Sequence, residues 1–220
     1  MSRPAFVLAI VGAESTGKSQ LARALYEALQ TPGEHVAQVG EYLREFCDRE
    51  GRTPSPTEQR HIAAEQTRRI ATAASTHTLV IADTTALMTA VYSETVFGDT
   101  TLYAQALQHH TRADLTLLTA LDLPWQPDGL QRDGPQVREP VDRLLRAALM
   151  GAGLPFSVVA GRGEARVQNA LRCLQIARQP RPAKPSAWRH LCARCGDGDC
   201  EHALFQRLAE AANPPEPSPP

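Results

Sequence analysis

Apolar residues in this chain come in short runs of strand length, separated by longer stretches in which they recur every three or four positions. The runs Ala5 to Val11, His35 to Val39, Thr78 to Ala82, Leu115 to Thr119 and Phe156 to Ala160 predict five strands. The first and third are nearly continuous apolar runs, as burial on both faces requires. Between them, Lys18 to Gln30 places Leu21, Leu25 and Leu29 on one helical face, and Thr57 to Ser75 reads as a longer, more polar helix. Ala86 to Phe97, Leu102 to Thr111, Val137 to Met150 and Arg162 to Arg178 complete the helical set. Strands alternating with helices predict an α/β fold, a five-stranded parallel sheet with crossover helices on both faces.

The periodic pattern stops at Gln179-Pro180, so residues 1–179 are expected to form one domain. Residues 180–187, with Arg181-Pro182-Ala183-Lys184-Pro185, read as a stiff proline-rich linker. Residues 188–211 hold a cysteine and histidine cluster with a short helix, and the proline-dense residues 212–220 are expected to be a disordered tail. There is no internal repeat.

Composition narrows the function classes. The 220 residues are 42% hydrophobic and 21% charged, which excludes wholesale disorder and fibrous repeats. Twenty-three Lys and Arg stand against 24 Asp and Glu, a formal charge of -1, so no global basic field draws the chain to nucleic acid or an anionic membrane. The early apolar run is too short to span a bilayer and no signal-peptide core is present, so a cytoplasmic location is expected. The oligomeric state is left open.

Gly12-Ala13-Glu14-Ser15-Thr16-Gly17-Lys18-Ser19 has the phosphate-loop spacing G-x-x-x-x-G-K-S, and it lies between a predicted strand and a predicted helix. Glycines allow close backbone approach, main-chain N–H groups and the helix N-terminus face the phosphates, and Lys18 adds a mobile full charge. Ser19 is the expected hydroxyl ligand for Mg²⁺. A nucleotide phosphate donor and Mg²⁺ are therefore expected, with the donor's base left open. A carboxylate is needed near that ion, and Asp83 follows the Leu79-Val80-Ile81-Ala82 run; the competing reading makes Asp83 the N-cap of the helix from Ala86.

Glu41, Tyr42 and Arg44 follow the second strand, at the sheet edge where open α/β folds bind ligands, and are candidates for the acceptor side. A solvated first helical turn is the alternative. In the polar, Gly- and Pro-bounded segment from Asp128 to Asp142, Arg132 and Arg138 are candidates for a lid that stabilises the transferring phosphoryl group. Asp83 or Glu41 is the expected carboxylate for the attacking hydroxyl, with Asp83 favoured. Trp125 is expected to pack under the lid.

Four blocks, GAESTGKS, GEYLREFC, ADTTALMT and PWQPDGLQRDG, occur in this order, and across about residues 5–175 the chain resembles the ribosylnicotinamide kinase domain of NadR-type proteins. The resemblance implies a nucleoside-kinase-like P-loop fold, ATP as donor, Mg²⁺ as cofactor, and nicotinamide riboside as the small-molecule acceptor giving nicotinamide mononucleotide. It also implies that Asp128 faces the substrate with Glu41, Tyr42 and Arg44. Two positions differ: Asp83-Thr84-Thr85 stands where the family often has Asp-Thr-Asp, and Gln131 intervenes before Arg132. No His-x-Gly-His adenylyltransferase motif occurs in the chain. The rival function is a P-loop ATPase acting as a conformational switch or partner-binding protein; no Asn-Lys-x-Asp motif for guanine is present.

Cys192, Cys195, Cys200 and His202 offer four ligands within eleven residues, which suits a Cys3His zinc site. A redox thiol pair, or no function, is the alternative. Cys47 and Cys173 lie on helical segments and are expected to pack in the core.

Overall fold

The structure, a computed structural model, describes residues 5–127 and 134–179. The proposed linker, the segment carrying Cys192, Cys195, Cys200 and His202, and the proline-rich tail lie outside the described residues, as do Asp128 and Arg132. All secondary structure described here belongs to the unit Met1–Arg178.

Five parallel strands form one sheet: β1 (Phe6–Val11), β2 (Val36–Val39), β3 (Leu79–Asp83), β4 (Leu115–Thr119) and β5 (Ser157–Val159), in the order β2-β3-β1-β4-β5. The central position of β1 follows from its composition. Leu8 to Val11 are completely buried, and Leu79 to Ala82 beside them are too, because helices cover both faces. Register places Ile10 beside Asp83 and Ala9 beside Thr116, so the ends of β1, β3 and β4 open at one edge. The chain leaves β1 toward β2 and β3 and returns on the other side at β4, and this reversal leaves a crevice beyond the strand ends.

Seven α-helices connect the strands: α1 (Lys18–Ala28), α2 (Tyr42–Glu50), α3 (Pro56–Thr76), α4 (Ala86–Phe97), α5 (Tyr103–His110), α6 (Arg138–Gly151) and α7 (Gly163–Arg178). α1 and α7 pack Leu21, Leu25 and Ala170 against Leu8, Ile10 and Ile81 on one face. On the other, Leu87, Val91, Val141, Leu145 and Leu149 of α4 and α6 meet Val11 and Leu118. Each fully buried Leu contributes about 1.5–3 kcal/mol of transfer free energy, so these two layers hold the sheet edge in place.

Local chemistry sets the helix starts. Ser55 and Glu58 form a reciprocal capping box at α3, with Pro56 in the first turn. At α4 the cap is Thr85, whose hydroxyl accepts from the Leu87 N–H at 3.3 Å. The N-cap reading of Asp83 is thereby corrected: Asp83 is the last residue of β3, paired with Ile10, and the chain turns through Thr84 before the helix begins. α2 shows a solvated first turn to be too small a reading of 41–46, because Tyr42, Phe46 and Cys47 are buried together with Ile62 of α3. Cys173 is partly buried against the α1 face of the sheet.

Candidate functional site

The phosphate loop is held by hydroxyls. The Thr16 hydroxyl donates to the Ala13 carbonyl at 2.8 Å and shares a 2.6 Å bond with the Thr119 hydroxyl at the end of β4. Gly12 is required there, since a Cβ at that position would lie 2.0 Å from the Thr119 hydroxyl oxygen and its φ is +152°. Ser15, at φ 54°, accepts from the Gln126 N–H at 2.7 Å, tying the loop to the segment after β4. Gly17 takes a left-handed conformation, and no side chain caps the first turn of α1. The orphan N–H groups of that turn are thus left for an anion. The Lys18 ammonium donates to the Ala13 carbonyl at 2.9 Å, within the loop.

A cleft of about 890 Å³ lies over this loop, lined on the donor side by Ser15 to Gln20 and on the opposite side by Glu41, Arg44, Glu45, Asp48 and Arg69. Asp83 forms part of its floor, and Leu123, Pro124, Gln126 and Pro127 close one end. Ser19 and Asp83 both line the cleft, and Asp83 Oδ1 is buried with no hydrogen-bond partner among the described residues. A buried carboxylate oxygen left open beside a phosphate-loop serine is a donor set that fits Mg²⁺.

Burial pushes the Asp83 carboxyl above its ordinary value; the Ser19 hydroxyl, Lys18 and Arg44 pull it back. Burial also raises Glu41, opposed chiefly by Lys18 and reinforced by the charge of Asp83. Arg44 reaches Glu41 at 3.9 Å. The structure therefore brings Lys18, Ser19, Glu41, Arg44 and Asp83 to one cleft. Glu14 is buried beside the group, with Oε2 lacking a partner among the described residues, and its charge acts on Glu41.

Two sequence candidates are placed differently. Tyr42 is buried against α3, beneath the Arg69 guanidinium at 4.4 Å, and is not among the residues lining the cleft. The spacing of Tyr42 and Phe46 on one face of α2 explains this, since that face meets Ile62. Arg138, the first residue of α6, is 8% exposed and donates from Nη1 to the Leu123 carbonyl at 2.9 Å. Its Nε and Nη2 have no partner among the described residues, directly beneath the loop that ends the cleft. Trp125 is half-buried in that loop.

Three residues that pattern reading did not single out support the site. Arg166 of α7 donates to the Thr16 carbonyl and to Gly161 and Asp122, each at 2.8 Å. Gln66 of α3 bonds the loops after β2 and β3. Asp122 accepts from the Gly161 N–H at 2.6 Å. Their partners are distant in sequence, so no local signal marks them. Among the described residues, no group of three or more His, Cys, Asp or Glu side chains is arranged to hold a metal ion. No described helix is long and apolar enough to cross a membrane.

Comparison with solved structures finds the same fold in kinases. A NadR protein in complex with NAD and AMP-PNP superposes with a TM-score of 0.63 at 17% identity, over 83% of this chain and 52% of that one. The chain thus spans about half the length of the NadR structure it matches. A deoxyadenosine kinase from M. mycoides with bound products matches at TM-score 0.53 and 15% identity, over 78% of this chain and 98% of that one. A thymidylate kinase from Ehrlichia chaffeensis matches at TM-score 0.51 and 13% identity, over 79% and 99%. These likenesses establish a P-loop kinase-like fold. No curated protein matches the sequence. The AAA domain family matches residues 7–166, from β1 through the arginine that anchors the phosphate loop, and the chain belongs to that family.

Proposed function

We propose that the chain transfers the γ-phosphoryl group of ATP to a nucleoside, and that the acceptor is nicotinamide riboside, giving nicotinamide mononucleotide and ADP. The observation carrying this reading is that a complete phosphate loop and two carboxylates from neighbouring connections, Asp83 at the end of β3 and Glu41 just after β2, share one cleft with room for donor and acceptor together. A solved NadR structure in complex with NR, sharing this fold at TM-score 0.65 and 17% identity, supports the choice of acceptor.

In this reading the main-chain N–H groups from Gly12 to Ser19, Glu14, Ser15 and Thr16 included, cradle the phosphates, and Lys18 follows the charge that builds on the transferring group. Ser19 and Asp83 would hold Mg²⁺, which would neutralise charge on the phosphate oxygens. Asp83 is the carboxylate placed to take the proton of the attacking hydroxyl. Glu41 and Arg44 orient the sugar, with Tyr42 packed behind them, and Asp128 is a further substrate contact in this reading. Arg132, and Arg138 at the first position of α6, serve the phosphoryl group.

Membership of the AAA domain family favours one second reading, ATP hydrolysis without an acceptor. Incubation with Mg-ATP and a nucleoside panel, with mass detection of monophosphates, separates the two. Nicotinamide mononucleotide formed in step with ADP is the expected result. ADP and phosphate released at the same rate with and without any nucleoside would establish hydrolysis instead.

A further inference from the structure

Gln66 is 2% exposed in the middle of α3, yet none of its polar atoms is wasted. Its Oε1 accepts the Tyr42 N–H at 2.8 Å, and its Nε2 donates to the Gly40 carbonyl at 3.2 Å and to the Thr84 carbonyl at 3.3 Å. The partners fix the amide's orientation. A flipped carboxamide would set oxygen against two carbonyls and an NH₂ against an N–H.

These three backbone groups bracket the carboxylates of the cleft. Gly40 and Tyr42 flank Glu41, and Thr84 follows Asp83. Thr84 is held at φ 72°, a left-handed conformation that strains a β-branched residue and persists only when its surroundings impose it. One restraint is the Thr84 N–H donating to Ile10 at 3.0 Å; the other is Gln66 on the carbonyl. The loops after β2 and β3 have no covalent connection shorter than α2 and α3 together, so a buried amide reaching both sets the spacing between their carboxylates.

We infer that Gln66 is a positioning residue that locks the β2–α2 and β3–α4 loops together and thereby sets the distance between Glu41 and Asp83 on the acceptor side of the cleft. None of the three Gln66 bonds reaches the phosphate loop, which is anchored through β4, the segment after β4 and α7, while the Ser19 hydroxyl acts on the Asp83 carboxyl. As a claim about catalysis the inference rests on the nucleoside-kinase reading; as a claim about loop coupling it does not.

Two experiments test it. Hydrogen exchange on the full ligand-free chain compares wild type with Gln66→Met, which keeps the volume and removes all three bonds, and with Thr84→Gly, which relieves the left-handed strain without touching α3. Gln66→Met is expected to speed exchange in peptides spanning 40–46 and 83–88 together, with 12–20 unchanged. Acceleration in one loop alone, in neither, or equally throughout the chain would overturn the coupling. In steady-state assays with nicotinamide riboside, Gln66→Met is expected to lower kcat by about tenfold or more while the KM for ATP stays within about twofold, because misplaced catalytic groups cost rate and leave donor binding intact. Thr84→Gly keeps the carbonyl that Gln66 bonds and is expected to keep kcat within about threefold of wild type. Unchanged kcat per ATP-binding site in Gln66→Met would overturn the positioning role. If wild type itself leaves nicotinamide riboside unreacted, the acceptor assignment fails and the exchange result alone decides the coupling. Should Gln66→Met not fold, Gln66→Glu, which keeps the acceptor for the Tyr42 N–H and loses the donor to Gly40 and Thr84, carries both measurements.

Discussion

Arg166 Nη2 donates to the main-chain carbonyl of Thr16 at 2.8 Å across 150 residues of sequence, so the last helix of the described body holds the loop at the head of the first. Its Nη1 bonds Asp122 and Gly161, joining the segments after β4 and β5 to the same guanidinium. The donor side of the cleft is thus fixed by one forked cation, just as the acceptor side is bridged by one amide.

Replacing that fork gives the first prediction. Arg166→Met removes the guanidinium donor from the Thr16 carbonyl and from Asp122 Oδ1, at a cost of about 2–3 kcal/mol, and raises the KM for ATP more than the KM for the acceptor. Arg166→Lys fails to restore ATP affinity, because an ammonium cannot bond three groups in the guanidinium's plane. Chemical denaturation and ATP titration of both variants check this; Arg166→Lys with wild-type ATP affinity would show that charge alone is needed.

How much of this was legible in the sequence depends on how far apart the partners lie. Runs such as Leu79 to Ala82 announce strands, and Gly12 to Ser19 announces the phosphate loop, because each pattern is local and its period is set by backbone geometry. α2 was only half legible: its apolar positions are Tyr42, Leu43, Phe46 and Cys47 in nine residues, and the same stretch reads as easily as a solvated turn. The N-cap reading of Asp83 fails because Asp83 pairs with Ile10 at the end of β3 and Thr85 takes the cap, a pairing that residue type does not announce. Gln66 and Arg166 were illegible. Their site-forming bonds to the Tyr42 N–H and the Gly40, Thr84 and Thr16 carbonyls end on main-chain groups 18 to 150 positions away, which leave no trace in residue type.

Lys18→Ala tests the phosphate loop itself. Lys18 bonds the Ala13 carbonyl in the ligand-free loop, a carbonyl that Thr16 also serves, so its loss leaves no orphaned acceptor and the fold stands. Turnover is expected to fall by about a hundredfold to a thousandfold. Near-normal turnover with an unchanged circular dichroism spectrum would place the phosphates elsewhere.

Gly12→Ala is expected to fail for steric reasons, whatever the chemistry. The added methyl overlaps the Thr119 hydroxyl, and the backbone must leave φ +152° or strain, a combined cost of about 2–4 kcal/mol. Adding Thr119→Ala removes the overlap but keeps the unfavourable φ, so the double variant recovers only part of the loss. Full recovery of the melting temperature would show that backbone conformation contributes nothing.

The acceptor-side carboxylates carry opposite consequences for stability and rate. Burial raises the folded-state pKa of Glu41, so the folded protein holds that proton to higher pH than the unfolded chain does. Stability from this group is present at low pH and is lost as pH rises through the folded value. Glu41→Gln should therefore raise the melting temperature of the ligand-free protein at neutral pH, with the gain shrinking toward pH 4. Asp83→Asn should lower turnover by orders of magnitude, as expected for the proposed base. A Glu41→Gln gain that grows on acidification would contradict the burial argument, and wild-type kinetics in Asp83→Asn would remove that residue from the chemistry.

His110 makes the opposite pH prediction from the other side of the sheet. It is 4% exposed, with Nδ1 3.0 Å from the Thr85 hydroxyl and Nε2 2.9 Å from the Thr116 hydroxyl, and burial lowers its pKa from 6.5 to about 4. The ring is neutral at physiological pH, one nitrogen donating and the other accepting, and either hydroxyl can rotate to suit. Because the unfolded chain takes up a proton near pH 6.5 that the folded chain refuses until about pH 4, this group's contribution is complete above pH 6.5 and falls as pH drops through that window, by an amount on the order of 3 kcal/mol. Thr85 also caps α4, two residues beyond Asp83, so protonation of His110 should loosen the start of that helix first. Denaturant unfolding at half-unit steps from pH 7.5 to pH 4 should show the slope, and His110→Gln, which keeps a donor and an acceptor but cannot titrate, should flatten it. An equal slope in His110→Gln would assign the acid sensitivity to other groups.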